Sequence, residues 1–266
     1  MSPKKRLFVN FNKLLLVNNS KPLGKSEVLQ GMLLHLDAED SHYLRNVCRL
    51  KEGDEIALFD RAGTHPPLTS SIQSTVADRV VVKILSPIET KLQLRPVEML
   101  VFAVCKGDKN DLVVQKATEL GVGHIWFWQA ERSVLRIKQN SLSERLNRWR
   151  RIAESAAEQS GNQSIPEILL IDDHDRLREN LNALAHQDLL RLCCSLSPQA
   201  LSLHDCIKDK RQVVLAVGPE GDMTPGEEDL FRECNFNLVN LGPAVLRSET
   251  AAIVAVAMTQ ALWRAR

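Results

Sequence analysis

An α/β protein in two parts is expected from this chain of 266 residues. Its first third sets short β-like runs between turn-forming segments. From about residue 94 apolar β runs alternate with helical patterns instead, the rhythm of a mainly parallel sheet covered by helices. The length agrees, since domains most often hold roughly 100 to 150 residues.

In the first part, Leu7-Phe8-Val9 and residues 32–36, 54–60 and 79–85 read as strands. Lys51-Glu52-Gly53-Asp54 and the Pro/Ser/Thr-rich segment 64–75 separate them as connections, giving the pattern of a small β-barrel. The polar Glu89-Thr90-Lys91 coincides with the change of rhythm, so the division falls into residues 1–90 and 91–266. No internal repeat is visible.

In the second part the strands expected are 97–104, His124–Trp128, Glu167–Ile171, Leu189–Cys194, 213–217 and 237–241. Their largely apolar character suits burial on both faces. Helix 111–120 shares a face through Val113, Ala117 and Leu120 and stops at Gly121. Helix 145–160 aligns Leu146, Trp149, Ala153 and Ala156 and stops at Gly161, leaving Arg148 and Arg151 for solvent or a ligand. A last helix, 249–264, is apolar nearly all round through Ile253, Val256, Ala257 and Met258, which predicts deep packing.

Bulk composition is that of an ordinary globular protein, 44% hydrophobic and 25% charged. A formal charge of +1 rules out a polycation, so contact with nucleic acid must come from local basic patches. Residues 1–50 carry eight Lys/Arg against four Asp/Glu, and residues 131–151 carry seven against two; each is also compatible with a solvated face. Cys48, Cys105, Cys193, Cys194, Cys206 and Cys234 form no CxxC pair and read as free thiols in a reducing compartment. No metal site is expected. Lys4, Lys5 and Arg6 precede only a four-residue apolar run at 14–17, short of the ~7 to 15 residues of a signal-peptide core, and the cytoplasm is the expected compartment.

Two turns carry the chemistry. Val217-Gly218-Pro219-Glu220-Gly221 follows an apolar strand, so it lies where open α/β sheets bind ligands, at a strand's carboxyl end. Its glycines admit close backbone approach, although a tight strand-to-helix turn capped by Thr224-Pro225 explains the same residues. The next strand feeds Leu241-Gly242-Pro243 and then Arg247-Ser248-Glu249-Thr250. Capping accounts for Ser248, Glu249 and Thr250. It leaves Arg247 unexplained, because a cation at a helix N-terminus opposes the dipole and calls for an anionic neighbour or ligand. With the reversal at Ser195-Leu196, these turns make one pocket if their three strands are neighbours. Neither a Walker A ending nor GxGxxG is present.

VGPEG followed by LGPAVLRSETAA resembles the SPOUT superfamily of trefoil-knotted methyltransferases, and more closely the family that methylates N3 of a uridine in bacterial small-subunit (16S) ribosomal RNA. The resemblance extends through KGDKNDLVVQKATELGV (106–122), AERSV (130–134), RWRRIAESAAEQSG (148–161) and HYLRNVCRLKEGDEI (42–56). It implies an N-terminal PUA-like RNA-binding barrel, a knotted C-terminal domain, a homodimer, and S-adenosylmethionine (S-adenosyl-L-methionine) as methyl donor. The donor would be held by Ser195, Leu196, Val217, Gly218, Pro219, Glu220, Gly221, Leu241, Gly242, Val245, Leu246, Ser248 and Thr250. Arg247 is the expected catalytic cation, with Glu249 orienting it or capping the helix. Arg6, Arg49, Lys106, Lys109 and Arg132 match basic positions expected to meet RNA phosphates, and Glu158-Gln159 match a helix motif open to packing or catalytic roles. Asp222, Ala244 and Asn46 depart from the pattern, where glycine, arginine and a basic residue are usual. Methylation of another base or of a ribose hydroxyl, and RNA binding without catalysis, stay open as alternatives at this point.

Overall fold

The computed structural model describes residues 5–17, 30–75, 79–88, 95–137, 139–184 and 188–266. Lys4 and the expected division point Glu89-Thr90-Lys91 lie outside them. The chain forms two compact units: Met1–Gln93 with Glu158–Ser164, and Leu94–Ala157 with Ile165–Arg266.

The first unit holds β1 (Lys5–Val9), β2 (Leu15–Leu16), β3 (Leu33–His35), β4 (Glu55–Asp60), β5 (Leu68–Ser74) and β6 (Val81–Pro87) in the order β1-β4-β5-β6-β3-β2. Leu7, Val9, Leu34, Ile56, Leu58, Ile72, Val82 and Ile84 fill its interior. β5 corrects the expectation of a connection at 64–75, because this strand pairs with both β4 and β6. Leu68, Ser70 and Ile72 point inward at every second position, and two of the intervening positions are hydroxylated, which hides the alternation in a Ser/Thr-rich run. A short helix, α1 (Ala38–His42), capped by Asp37 and running into a wider turn at Tyr43–Val47, was likewise not anticipated.

Glu158 falls in this unit as a packing residue, its carboxylate accepting from Phe8 N at 3.2 Å and from Tyr43 Oη at 3.3 Å. Gly161, at φ 82°, lies under the Arg6 guanidinium, where any Cβ would collide. Arg6 is therefore half-buried, with Nη1 sealed from water.

The second unit is a seven-stranded, wholly parallel sheet of β7 (Val97–Ala103), β8 (His124–Trp128), β9 (Glu167–Ile171), β10 (Leu189–Cys194), β11 (Leu201–Ser202), β12 (Gln212–Val217) and β13 (Asn237–Asn240), in the order β11-β13-β10-β12-β7-β8-β9. Alternate residues feed opposite faces. Leu100, Phe102, Phe127 and Leu215 pack under α2 (Lys109–Glu119), α3 (Gln139–Ser160) and α7 (Ser248–Arg264). Met99, Val101, Trp128 and Ala216 pack under α4 (His174–Ala183) and α6 (Pro225–Glu233). A one-turn helix, α5 (Leu203–Cys206), follows β11.

α4 escaped the sequence reading because only Leu177 and Leu181, one turn apart, are buried in an otherwise polar run. α7 corrects the expectation of deep packing all round. It buries Ala252, Ala255, Val256, Thr259 and Trp263, while Ile253, Val254 and Met258 are half-buried and Ala257 and Ala261 exposed. Among the described residues this face of the helix is only partly covered. None of the helices among the described residues is long and apolar enough to cross a membrane.

At the amino end of β8, His124 lies between Glu98 (Nε2 to Oε1, 3.4 Å) and Glu167 (Nδ1 to Oε2, 3.1 Å). The Glu98 contact raises the His124 pKa above 6.5, and His124 in turn holds Glu98 below 4.5. The raised histidine contributes stability that is complete below its unfolded pKa and lost as pH rises through the folded one. The depressed Glu98 contributes stability that is lost as pH falls through its own folded value. The thermal midpoint is therefore expected to fall as pH is raised from about 6 to 8, and His124→Gln is expected to flatten that dependence. An unchanged slope in the variant removes His124 as its source.

Candidate active site

The three reversals singled out above follow β10, β12 and β13, and these strands are adjacent in the order β13-β10-β12. Their carboxyl ends open into one cavity of about 820 Å³, within the range of small-molecule sites. Ser195 and Leu196 line it after β10, Val217 at the end of β12 with Gly218, Pro219, Glu220 and Asp222 after it, and Leu241, Gly242, Val245, Leu246, Arg247 and Ser248 after β13. Gly221, Glu249 and Thr250 lie outside this lining. Gly221 instead accepts at its carbonyl from Arg132 Nη1, at 3.2 Å, and Thr250 is exposed on α7.

Local chemistry fixes each wall. α6 opens with a reciprocal cap: Glu227 N donates to Thr224 Oγ1, and Thr224 N donates to Glu227 Oε2. This anchors the segment after the Gly-Pro-Glu-Gly turn. Gly218 approaches Met223 so closely that a Cβ there would stand 2.8 Å from Cγ. Ser195 Oγ donates to Glu228 Oε1 and accepts from Ser197 N at 2.9 Å.

A fourth wall was not foreseen. Lys109, at the start of α2, lines the cavity with its ammonium 3.1 Å from Glu220 Oε1 and 3.7 Å from Glu249 Oε2. Lys106 N also donates to Glu220 Oε1, at 3.2 Å. Burial opposes the Glu220 charge, but the Lys109 ammonium and nearby backbone amides outweigh it, so this carboxyl titrates below 4.5. Beneath them burial, then the Glu220 charge, pushes the Cys105 thiol up to about 12, which keeps it protonated and inert. Lys109 thus serves two carboxylates rather than standing free for phosphate. The sequence signal was its place just after β7, the other neighbour of β12.

Arg247 is the N-cap residue of α7, in extended backbone at φ −65° and ψ 150°, and its side chain makes no capping bond. It is exposed on the cavity and has no ion pair among the described residues. Glu249 is buried against Lys109, so it neither caps α7 nor pairs with Arg247. Arg49, Lys106 and Arg132 are exposed, Arg49 at φ 54°.

Residues 70–260 match the family described as RNA methyltransferase domain, and residues 36–64 match the RNA methyltransferase PUA domain. The chain belongs to this RNA methyltransferase family. Among relatives of this RNA methyltransferase, the ribosomal RNA small subunit methyltransferase E of Synechocystis sp. is 31% identical over 226 residues, 83% of this chain and 70% of its own. The Bacillus subtilis protein of the same name is 26% identical over 243 residues, 88% of this chain and 92% of its own. The crystal structure of the ribosomal RNA small subunit methyltransferase E of Neisseria gonorrhoeae bound to S-adenosyl methionine shares 30% identity, with a TM-score of 0.79, over 97% of this chain and 98% of that one.

The lining fits such a methyl donor. Val217, Leu241, Val245 and Leu246 give apolar surface for a purine, and the strand-end turns bring backbone alongside them. Glu220 and Asp222 supply carboxylates near a cation.

Proposed function

We propose that this chain methylates N3 of a uridine in 16S ribosomal RNA, using S-adenosylmethionine held in the cavity between the ends of β10, β12 and β13. The observation that carries the reading is the convergence of those three reversals on one cavity, with an arginine at its rim that has no ion pair among the described residues. The likeness to the Neisseria protein bound to S-adenosyl methionine over nearly the whole chain supports it.

When bound, the cofactor supplies an electrophilic methyl group. The chain's own residues then have distinct tasks. The apolar wall and turn backbones hold and orient the donor, and Lys109 holds the Glu220 carboxylate in place. Arg247 stabilises the negative charge that builds on the uracil imide as N3 loses its proton. Positioning of two reactants away from water supplies the rest, without a covalent intermediate.

Arg49, Lys106 and Arg132 are assigned to RNA phosphates; the burial of Arg6 and the two carboxylates on Lys109 argue against that role for them. A homodimer belongs to this reading, supported by the partly exposed apolar stripe of Ile253, Val254, Ala257, Met258 and Ala261 on α7. So do the trefoil knot and the cytoplasm, the latter supported by six free cysteines.

Purified protein, labelled S-adenosylmethionine and small ribosomal subunits lacking the modification test the reading. N3-methyluridine is expected in the nucleoside digest by mass spectrometry. A label on another base or on a ribose hydroxyl, or none at all, overturns it.

A further inference from the structure

Asp222 sits in the cavity wall. Its backbone is left-handed at φ 62°, a region that glycine enters freely and that asparagine and aspartate tolerate better than other residues. Oδ1 accepts from Met223 N at 2.8 Å, within the turn itself. No lysine, arginine or histidine pairs with the carboxylate among the described residues, and the residue is half-buried.

Arg247 lines the same cavity and Arg132 donates to the neighbouring Gly221 carbonyl at 3.2 Å, but neither forms an ion pair with Asp222 among the described residues. Ser195 is turned onto a second carboxylate, Glu228. The one lysine of the lining is already shared by Glu220 and Glu249. An unpaired carboxylate, partly withdrawn from water, carries a desolvation cost that a cationic ligand group would offset.

We propose that Asp222 is a specificity-determining residue of this cavity, its carboxylate pairing with a cationic group of the methyl donor. The inference rests on the methyl-donor reading above. S-adenosylmethionine carries a sulfonium and an ammonium, whereas 5′-methylthioadenosine shares its adenosine half and carries neither. Asp222 therefore favours the charged ligand and is indifferent to the uncharged one.

Two substitutions isolate the charge. Asp222→Asn keeps the Oδ1 acceptor and a side chain suited to positive φ, and Asp222→Gly removes the side chain in a conformation glycine prefers. Neither is expected to lower the thermal midpoint of the ligand-free protein. By calorimetric titration, both are expected to raise the Kd for S-adenosylmethionine by about tenfold, the effect of losing one charge-assisted contact. The Kd for 5′-methylthioadenosine is expected to change by less than about twofold on the same grounds. An unchanged Kd for S-adenosylmethionine in the Asn variant, or equal weakening of both ligands, overturns the assignment while leaving the methyl-donor reading intact. A wild-type protein that binds neither ligand sinks both.

Discussion

Arg247→Ala is expected to leave S-adenosylmethionine binding within about twofold and to lower the rate of methyl transfer by about 100- to 1,000-fold, the loss typical of removing one group that stabilises charge in a transition state. The separation of the two effects follows from where this residue stands. Its backbone caps α7 and its side chain makes no capping bond, so truncation removes no bond that the helix needs. A cation at a helix N-terminus is opposed by the partial positive charge of the first-turn amides. The position therefore costs stability in the empty protein, and an anion forming on the substrate relieves that cost. Arg247→Lys is expected to recover only part of the rate, since a point charge replaces a planar fork of donors. Single-turnover transfer to ribosomal subunits, set beside calorimetric cofactor affinity, separates the outcomes; undiminished transfer by the alanine variant takes Arg247 out of the mechanism.

Trp149→Ala is expected to destabilise the protein by ~3 to 5 kcal/mol, the cost of deleting a fully buried large aromatic side chain. Trp149 has no exposed surface and stacks on Phe127, with ring centroids 3.9 Å apart. Its Nε1 donates to Asp111 Oδ1 at 3.1 Å, while Arg148 Nε and Nη2 hold the other oxygen at 2.8 and 2.5 Å. Asp111 is in the first turn of α2, two residues from Lys109, so α3 fixes the helix end that presents the lysine to the cavity. Cofactor affinity is therefore expected to weaken along with stability. Trp149→Phe keeps the stacking surface and loses the hydrogen bond, which is worth about 1 kcal/mol. Denaturant titration of the three proteins checks the ranking, and a cost below about 1 kcal/mol for alanine contradicts this packing account.

The inner strands of the parallel sheet were legible because β7, β8, β10 and β12 are buried on both faces and their composition needs no partner to explain it: Val97, Leu100, Phe102, Val213 and Leu215 are apolar wherever they sit. The helix ends at Gly121 and Gly161 were legible for the same local reason, and both have positive φ. β5 was not, since Thr69 and Ser71 become strand residues only through pairing with β4 and β6. The outer face of α7 misled because composition reports how apolar a residue is and not whether anything covers it.

By itself the sequence determined that Gly-Pro turns close two strands and that Arg247 stands unexplained at a helix start, because turn chemistry and helix dipoles act within a few residues. Only the tertiary structure decided that β13, β10 and β12 are neighbours, so that their ends share one cavity. It also decided that Lys109 is held by Glu220 and Glu249, 111 and 140 residues further along the chain, and that Asp222 faces the cavity with no ion pair among the described residues. Strand order and ion pairing over such separations depend on how distant surfaces pack and which charges lose water together, and no local pattern in the chain encodes either.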